Sequence, residues 1–278
     1  MSDASGMNHW IDPNGVVHVV FDRRGDKVNL LTPAALQELG ELLDSIRGRD
    51  DVRGVIFKSA KPGNFIAGMD IDVIASFTDA FKAAEGARFG QDVFQKIEDL
   101  PVPSACALNG ACLGGGAELA LACTVRVAAD SQSVKIGLPE TQLGIIPGFG
   151  GTQRLPRLLG LMASLDLILT GRTVDARRAQ RLGLVDLVVP EAYLERETLR
   201  LMLKAAGGLK RRRPLLSRLV EITPPLRRFV IGKALGECCG RRRQHEDAQQ
   251  IGKRFLRQLA RPLPVDVEQD VAPGSDRR

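Results

Sequence analysis

The sequence is short of aromatic residues and of long apolar runs, and both shortages narrow what the chain can be. Aromatic residues make up 4% of 278 positions, so core packing has to rest on leucine, valine, isoleucine and alanine. No apolar run approaches the roughly 18–20 residues that a membrane-spanning helix needs. Residues 1–10 contain neither an apolar secretion segment nor an arginine-rich amphipathic leader. We therefore expect a cytoplasmic protein without a membrane span.

Patterns for metal and nucleotide binding are lacking as well. The five cysteines show neither metal-ligand spacing nor an even disulfide framework, at Cys106, Cys112, Cys123, Cys238 and Cys239. The first three fall in apolar segments, and we expect them to be reduced core thiols. The three histidines are scattered, at His9, His18 and His245. No G-x-G-x-x-G follows a strand, which argues against a dinucleotide site. The sequence therefore predicts no bound metal and no cofactor.

Positive charge is concentrated towards the C-terminus. The net charge is +6, but Lys210 to Arg261 holds fifteen Lys/Arg against four Asp/Glu. Such a basic region could bind nucleic acid or an anionic membrane. It could also be a solvated amphipathic helix that packs its leucines on the core. Phe229 and Phe255 are its only aromatic residues, too few for stacking on single-stranded bases. We prefer the helix, and nucleic acid is not an expected partner.

Strands and helices alternate along the chain. Strands are predicted at 15–22, 52–58, 104–109, 125–129, 133–137 and 184–189. Helices are predicted from Thr32-Pro33 onward, at 80–100, at 115–122 and over much of 150–203, with 61–72 as a loop. This alternation indicates α/β layering with parallel strands and crossover helices. Periodicity alone does not distinguish an open doubly wound sheet from coiled strand–strand–helix turns.

The stretch 109–151 carries the chemistry. It contains two glycine-rich turns, Gly114–Gly116 and Gly148–Gly151. Backbone N–H groups at a glycine-rich helix start favour developing negative charge. Glu118 lies in the first turn of the predicted helix, where a glutamate often only complements the helix dipole. Glu140 could equally be a solvated loop residue. Together, however, the glycines and carboxylates predict a site that polarises an oxygen and moves a proton.

Several motifs in this order resemble the crotonase, or enoyl-CoA hydratase/isomerase, superfamily. They are AGMD at 67–70, NGACLGGGAELALACTVRVAA at 109–129, IGLPETQLGIIPGFGGTQRLPRLLG at 136–160 and LTGRTVDARRAQRLGLVD at 169–186. The likeness extends to the N-terminal hydratase domain of multifunctional fatty-acid oxidation proteins and covers roughly residues 12–205. It implies an α/β crotonase-like spiral of repeated strand–strand–helix units with a helical C-terminal region.

The resemblance also implies a substrate and a set of site residues. The substrate is an acyl-CoA thioester, Glu118 and Glu140 are the catalytic carboxylates, and the backbone N–H groups of Met69 and Gly115 form the oxyanion hole. Substrate-binding positions are Ala67, Gly68, Gly114, Pro147 and Gly148. Met69 stands where the family has a small residue, and its side chain is expected to narrow or reshape the acyl pocket.

The function expected from this resemblance is an enoyl-CoA hydratase of fatty-acid oxidation, which converts a 2-enoyl-CoA into the 3-hydroxyacyl-CoA. Two carboxylates favour hydration over double-bond isomerisation, which needs one acid–base group. The helix N-terminus should favour ionised Glu118 as the base, and apolar surroundings should favour protonated Glu140 as the acid. An enoyl-CoA isomerase or another crotonase-type enzyme is the alternative. A non-catalytic scaffold that binds anionic partners through the basic region is a third.

Three segments are expected: a catalytic core at 1–205, a helical, arginine-rich extension at 206–260, and a disordered tail at 261–278. Residues 211–235 resemble the start of the linker that follows the hydratase domain in the multifunctional proteins. The chain is therefore either a stand-alone relative or part of a larger protein. The resemblance implies a homotrimer or hexamer, or a monomer covered by its own linker.

Overall fold

The computed structural model describes residues 6–77 and 79–206. The basic region from Lys210 to Arg261, the predicted tail at 261–278 and the vicinal pair Cys238-Cys239 lie outside the described residues. The predictions made for the basic region and for the tail stay predictions.

The described residues contain strands, α-helices and short 3₁₀ helices. The strands are β1 (Met7–Ile11), β2 (Val16–Phe21), β3 (Gly54–Ser59), β4 (Gly63–Ile66), β5 (Ser104–Leu108), β6 (Gly110–Leu113), β7 (Val125–Ala129), β8 (Lys135–Gly137), β9 (Thr173–Asp175) and β10 (Leu187–Val189). The α-helices are α1 (Pro33–Ile46), α2 (Ile71–Ala75), α3 (Ala80–Glu98), α4 (Gly115–Ala122), α5 (Gly151–Leu159), α6 (Leu161–Thr170), α7 (Ala176–Leu182) and α8 (Leu194–Ala205). The 3₁₀ helices are Pro139–Leu143 and Glu191–Tyr193.

These strands form two sheets. The six-stranded sheet has the order β1-β2-β3-β5-β7-β10, and the four-stranded sheet has the order β4-β6-β8-β9. The pairs β1–β2 and β8–β9 are antiparallel, and the others are parallel. Parallel neighbours require crossover connections, which the helices between the strands supply.

Successive strand pairs wind as a spiral. In each of three turns, one strand joins the large sheet, the next joins the small sheet, and helix follows. The turns are β3–β4 with α2 and α3, β5–β6 with α4, and β7–β8 with the 3₁₀ helix at 139–143 and α5. The predicted α/β crotonase-like spiral is confirmed, and the open doubly wound sheet is not what forms.

Local signals place the helices that carry the site. Thr32 caps α1, with its Oγ1 accepting from the Ala35 N–H at 3.1 Å, and Pro33 is the first helical residue. Asp79 caps α3 in the same way. Helix α4 packs against α3, α5, β4 and β6, and every one of its residues is buried.

Part of the strand prediction is wrong. The segment 61–72, predicted as a loop, contains β4 and the start of α2. Strands β1, β6 and β9 are also absent from the prediction. Each has at most five residues, and β6 is only GACL, so none carries enough apolar alternation to be read locally. β6 and β9 pair with strands brought close by the spiral, whereas β1 pairs with β2, the next strand in the chain.

The core is mainly aliphatic, as the composition predicts, with a few buried phenylalanines such as Phe57 and Phe65. Cys106, Cys112 and Cys123 are buried free thiols, which confirms their assignment to the core. Across 6–77 and 79–206, no helix has both the length and the apolar character that a membrane crossing requires.

Candidate active site

A cavity of about 910 Å³ lies at the N-terminal end of α4. Its walls come from α2, α3, the 3₁₀ helix at 139–143 and the turn that precedes α5. All the site positions predicted from the sequence line it, namely Ala67, Gly68, Met69, Gly114, Gly115, Glu118, Glu140, Pro147 and Gly148. The fold therefore brings together residues from three separate motifs.

Gly114 shapes the cavity where α4 begins. Its backbone has φ +52° and ψ −125°, a conformation that residues with a side chain rarely adopt. A Cβ at this position would lie 3.2 Å from Oε1 of Glu140. The Gly114 N–H donates to the Gly137 carbonyl at 3.0 Å, which fixes the turn on β8. Glycine thus permits the sharp entry into α4 beside a carboxylate.

Two backbone N–H groups are available to a ligand. The Leu31 N–H donates to the Gly68 carbonyl at 2.8 Å, and the Asp70 N–H donates to the Leu31 carbonyl at 3.1 Å. These bonds hold the turn around Met69, whose own N–H has no acceptor within the described residues. The N–H of Gly115, the first residue of α4, has none either, as expected at a helix start. Both residues line the cavity, an arrangement suited to an anionic oxygen.

Glu118 is held by the turn that precedes α5. Its Oε1 accepts hydrogen bonds from the N–H groups of Phe149 and Gly151, each at 2.8 Å. The residue is only 2% exposed, and burial raises the pKa of its carboxyl to about 7, although the two N–H groups and the Arg154 cation oppose the rise. The sequence predicts that the helix field favours ionisation of Glu118, but burial outweighs that field.

Glu140 lies opposite, in the 3₁₀ helix at 139–143. It is 9% exposed, and its Oε2 has no hydrogen-bond partner among the described residues. Burial raises the pKa of its carboxyl to about 8, and the charge of Glu118 adds to the rise. This direction agrees with the sequence-based expectation. Ionised Glu118 therefore favours a protonated Glu140.

Sequence reasoning misses several residues of this site. It singles out the glycines at 148–151 but not the N–H groups of Phe149 and Gly151 as the partners of Glu118. It also misses an apolar wall to which Ile71, Ile74 and Phe77 contribute. That wall belongs to α2 and the residues after it, within the segment predicted to be a loop or left without assignment. Only the Phe149 turn carries a local signal, its glycines.

Asp70 and His18 make contacts that stabilise the local structure. Asp70 caps α2, accepting from the Asp72 N–H at 3.1 Å, and contacts Arg23 at 3.3 Å. His18 lies in β2 with its ring stacked on Trp10 at 5.1 Å between centroids. Within residues 6–77 and 79–206, no group of three His, Cys, Asp or Glu side chains is arranged to hold a metal ion.

Comparison with known proteins places the chain in one family. Residues 12–217 match the family model "Enoyl-CoA hydratase/isomerase". The fatty acid oxidation complex subunit alpha of Vibrio campbellii is 45% identical over 194 residues, which cover 70% of this chain and 28% of that protein. The corresponding subunit of Shewanella loihica is 43% identical over 225 residues, covering 80% and 32%. The chain thus spans about a third or less of the length of these relatives.

Solved structures agree with this placement. An enoyl-CoA hydratase from Bacillus anthracis superposes with a TM-score of 0.66 at 31% identity, covering 93% of this chain and 98% of that one. A structure described as an enoyl-CoA hydratase from Geobacillus kaustophilus gives a TM-score of 0.68 at 28% identity, covering 92% and 89%. The segment matched by the family model, residues 12–217, contains every residue that lines the cavity. The chain belongs to the enoyl-CoA hydratase/isomerase family, within the crotonase superfamily.

Proposed function

We propose that the protein is an enoyl-CoA hydratase, which adds water across the 2,3 double bond of a 2-enoyl-CoA to give the 3-hydroxyacyl-CoA. The observation that carries the proposal is the pairing of Glu118 with Glu140 in one cavity, both buried and both with raised pKa values. Met69 and Gly115, whose N–H groups have no acceptor within the described residues, line the same cavity. Homology to fatty acid oxidation subunits supports a role in that pathway.

In the proposed reaction, the carboxylate of Glu118 takes a proton from a water molecule as the water oxygen forms a bond to C3. The electron pair of the double bond moves towards the thioester, and negative charge develops on the carbonyl oxygen. The N–H groups of Met69 and Gly115 stabilise this charge, and one such donor is typically worth about 10²–10³ in rate. Protonated Glu140 then delivers its proton to C2, which completes the addition of H and OH.

The hydrogen bonds of the two carboxyls support this division of roles. Glu118 receives two N–H donors, which stabilise its ionised form. Glu140 has an unpartnered oxygen and a higher pKa, which suits a group that arrives protonated. An isomerase that moves a proton between C2 and C4 needs only one such group. The second buried carboxyl is therefore the reason for proposing hydration.

The cavity lining supports an acyl chain as the bound group. Ile71 and Leu143 are large apolar side chains that are exposed in the structure, at 61% and 57%, and both line the cavity. Exposed apolar groups at a cavity edge commonly mark a ligand site. An acyl chain would cover them on binding.

The experiment follows loss of the conjugated thioester chromophore with crotonyl-CoA and with longer 2-enoyl-CoAs. A hydratase consumes the chromophore, and the product is identified as the 3-hydroxyacyl-CoA by mass, 18 Da above the substrate as one water requires. A parallel assay with a 3-enoyl-CoA tests isomerisation, in which the chromophore appears. No chromophore loss at any chain length contradicts the hydratase proposal, and chromophore gain alone would favour the isomerase.

A further inference from the structure

Arg154, on α5, is a buried cation that the proposed reaction does not use directly. The residue is 7% exposed. A buried guanidinium is costly unless its charge and its N–H donors find partners. The partners of Arg154 therefore indicate why a cation is kept at this position.

The guanidinium joins α3 to the turn that precedes α5. Nη1 donates to the carbonyl oxygen of Phe149 at 2.8 Å. Nε donates to Oε2 of Glu98 at 3.0 Å, and Nη2 donates to Oε1 of Gln95 at 3.3 Å. Glu98 and Gln95 lie about one turn apart on α3. All three nitrogens of the planar group are thus used, and one of the partners, Phe149, belongs to the turn whose N–H groups bind Glu118.

The turn that Arg154 holds is the one that binds Glu118. Gly150, between the two N–H donors, has φ +104°, and a Cβ there would lie 2.3 Å from Nη1 of Arg154. Glycine is therefore needed for the close approach of the guanidinium as well as for the backbone conformation. The Phe149 ring also packs edge-on against Phe94 of α3, with centroids 5.5 Å apart. The turn is fixed to α3 through its carbonyl and through its side chain.

We propose that Arg154 is a positioning residue for Glu118, which acts by holding the Phe149 carbonyl so that the N–H groups of Phe149 and Gly151 stay on Oε1. Helix α3 supplies the fixed support through Glu98 and Gln95. The effect on turnover rests on the proposed function, whereas the effect on the Glu118 carboxyl does not.

Charge adds a second consequence. The Arg154 cation lowers the pKa of Glu118 against the rise caused by burial. Glu140, on the 3₁₀ helix, also faces this carboxyl, and the charge of ionised Glu118 raises the pKa of Glu140. Asp70 and Asp72 line the same cavity from the start of α2, and Glu98 faces Arg154 from α3. Loss of the cation should therefore raise the pH at which Glu118 ionises.

The test compares Arg154→Gln and Arg154→Lys with Arg157→Gln, which removes an exposed arginine from the same helix. In Arg154→Gln we expect kcat to fall roughly 10–100-fold with little change in KM, because a misplaced base slows chemistry more than binding. The acidic limb of the kcat profile should move up by roughly one pH unit. In Arg154→Lys the acidic limb of the kcat profile should lie at its wild-type pH, because the cation is kept. Only part of kcat should be retained, since one ammonium cannot make all the contacts of a guanidinium. Arg157→Gln should match the wild type.

A second readout needs no turnover. Carboxyl-¹³C-labelled glutamate allows the titration of Glu118 to be followed by NMR, with the signal assigned through Glu118→Gln. An upward shift of that titration in Arg154→Gln supports the proposal even in a protein that hydrates no substrate. A folded Arg154→Gln variant in which Glu118 titrates as in the wild type overturns it. Should Arg154→Gln fail to fold, Arg154→Lys and Glu98→Gln decide: an unchanged kcat in Arg154→Lys together with an unchanged Glu118 titration in Glu98→Gln contradicts the proposed role.

Discussion

At the scale of single residues, the two cavity carboxyls differ more in their hydrogen bonds than in their burial. Glu118 and Glu140 are both 9% exposed or less. Glu118 accepts two N–H groups, whereas Oε2 of Glu140 accepts nothing within the described part of the chain. The same apolar surroundings therefore leave one carboxyl better able to carry charge and the other better able to carry a proton.

This difference predicts separate effects of the two amide substitutions. Glu118→Gln and Glu140→Gln should each lower kcat by about 10²–10⁴-fold, because each removes one proton transfer of the proposed reaction. Affinity for acyl-CoA should change little, since it depends on remote contacts. In D₂O, Glu140→Gln should also abolish exchange of the substrate α-proton.

The matched control is Glu41→Gln, an exposed residue on α1. Its activity and its exchange rate should equal those of the wild type. Exchange of the α-proton at the wild-type rate in Glu140→Gln would mean that the acid has been misassigned.

At the scale of elements, a buried arginine stabilises the C-terminal end of helix α4. Arg126, on β7, donates from Nη1 to the carbonyls of Ala120 at 3.0 Å and Cys123 at 2.6 Å. Its Nε donates to the carbonyl of Leu184 at 2.9 Å. The cation thus satisfies carbonyls at the C-terminal end of the helix that carries Glu118 and complements the helix dipole there.

Arg126→Met should therefore destabilise the whole fold by roughly 3–5 kcal/mol, because buried carbonyls lose their donors. Arg178→Met, at an exposed position on α7, should change stability by less than about 0.5 kcal/mol. Urea unfolding followed by circular dichroism measures both. Equal urea midpoints for the two variants would contradict a stabilising role of Arg126.

Helix α3 forms part of the cavity wall, and a glycine on it leaves room for a neighbouring aromatic ring. A Cβ at Gly86 would lie 2.9 Å from Cζ of Phe77, and both residues line the cavity. Gly86→Val should push the ring and narrow the space for an acyl chain. We expect KM for long 2-enoyl-CoAs to rise about tenfold or more, while crotonyl-CoA stays within about threefold. Arg88→Ala, an exposed neighbour, is the control. An unchanged chain-length profile in Gly86→Val would rule out this wall as the determinant.

Elements with their own local signals could be predicted, and elements without them could not. The start of α1 follows from Thr32 and Pro33, and α4 follows from its glycines and apolar residues. β6 has four residues, and its partners β4 and β8 are distant in sequence, so nothing local marks it. The pairing of Glu118 with the Phe149 turn is equally non-local. The residue types of the site could be read from the sequence, but the contacts that hold them could not.

At the scale of the whole molecule, the raised carboxyl pKa values make stability depend on pH. Below its unfolded-state pKa near 4.5, Glu140 is protonated in both the folded and the unfolded protein, so it does not change the free energy of unfolding. As pH rises towards its folded value of about 8, the unfolded state ionises first, so the folded state loses relative stability.

Glu140→Gln should therefore be more stable than the wild type at pH 8, by on the order of 1–3 kcal/mol, and nearly equal to it at pH 5. Thermal unfolding at the two pH values measures the difference. Glu41→Gln, at an exposed site, should show no such pH-dependent gain. A gain in stability for Glu140→Gln that is as large at pH 5 as at pH 8 would contradict a raised pKa at Glu140.

Each turn of the spiral supplies a different part of the cavity. Met69 follows β4, Gly115 and Glu118 follow β6, and Glu140 follows β8. No single turn holds all four of these residues. Local unfolding of any one turn should therefore abolish ligand binding. A ligand that contacts all three turns should in turn disfavour the local unfolding of each of them. In amide hydrogen exchange, bound acyl-CoA should slow deuterium uptake in all three turns together, including amides far from the cavity. Local openings that are separate in the free protein would then behave as one cooperative event in the complex.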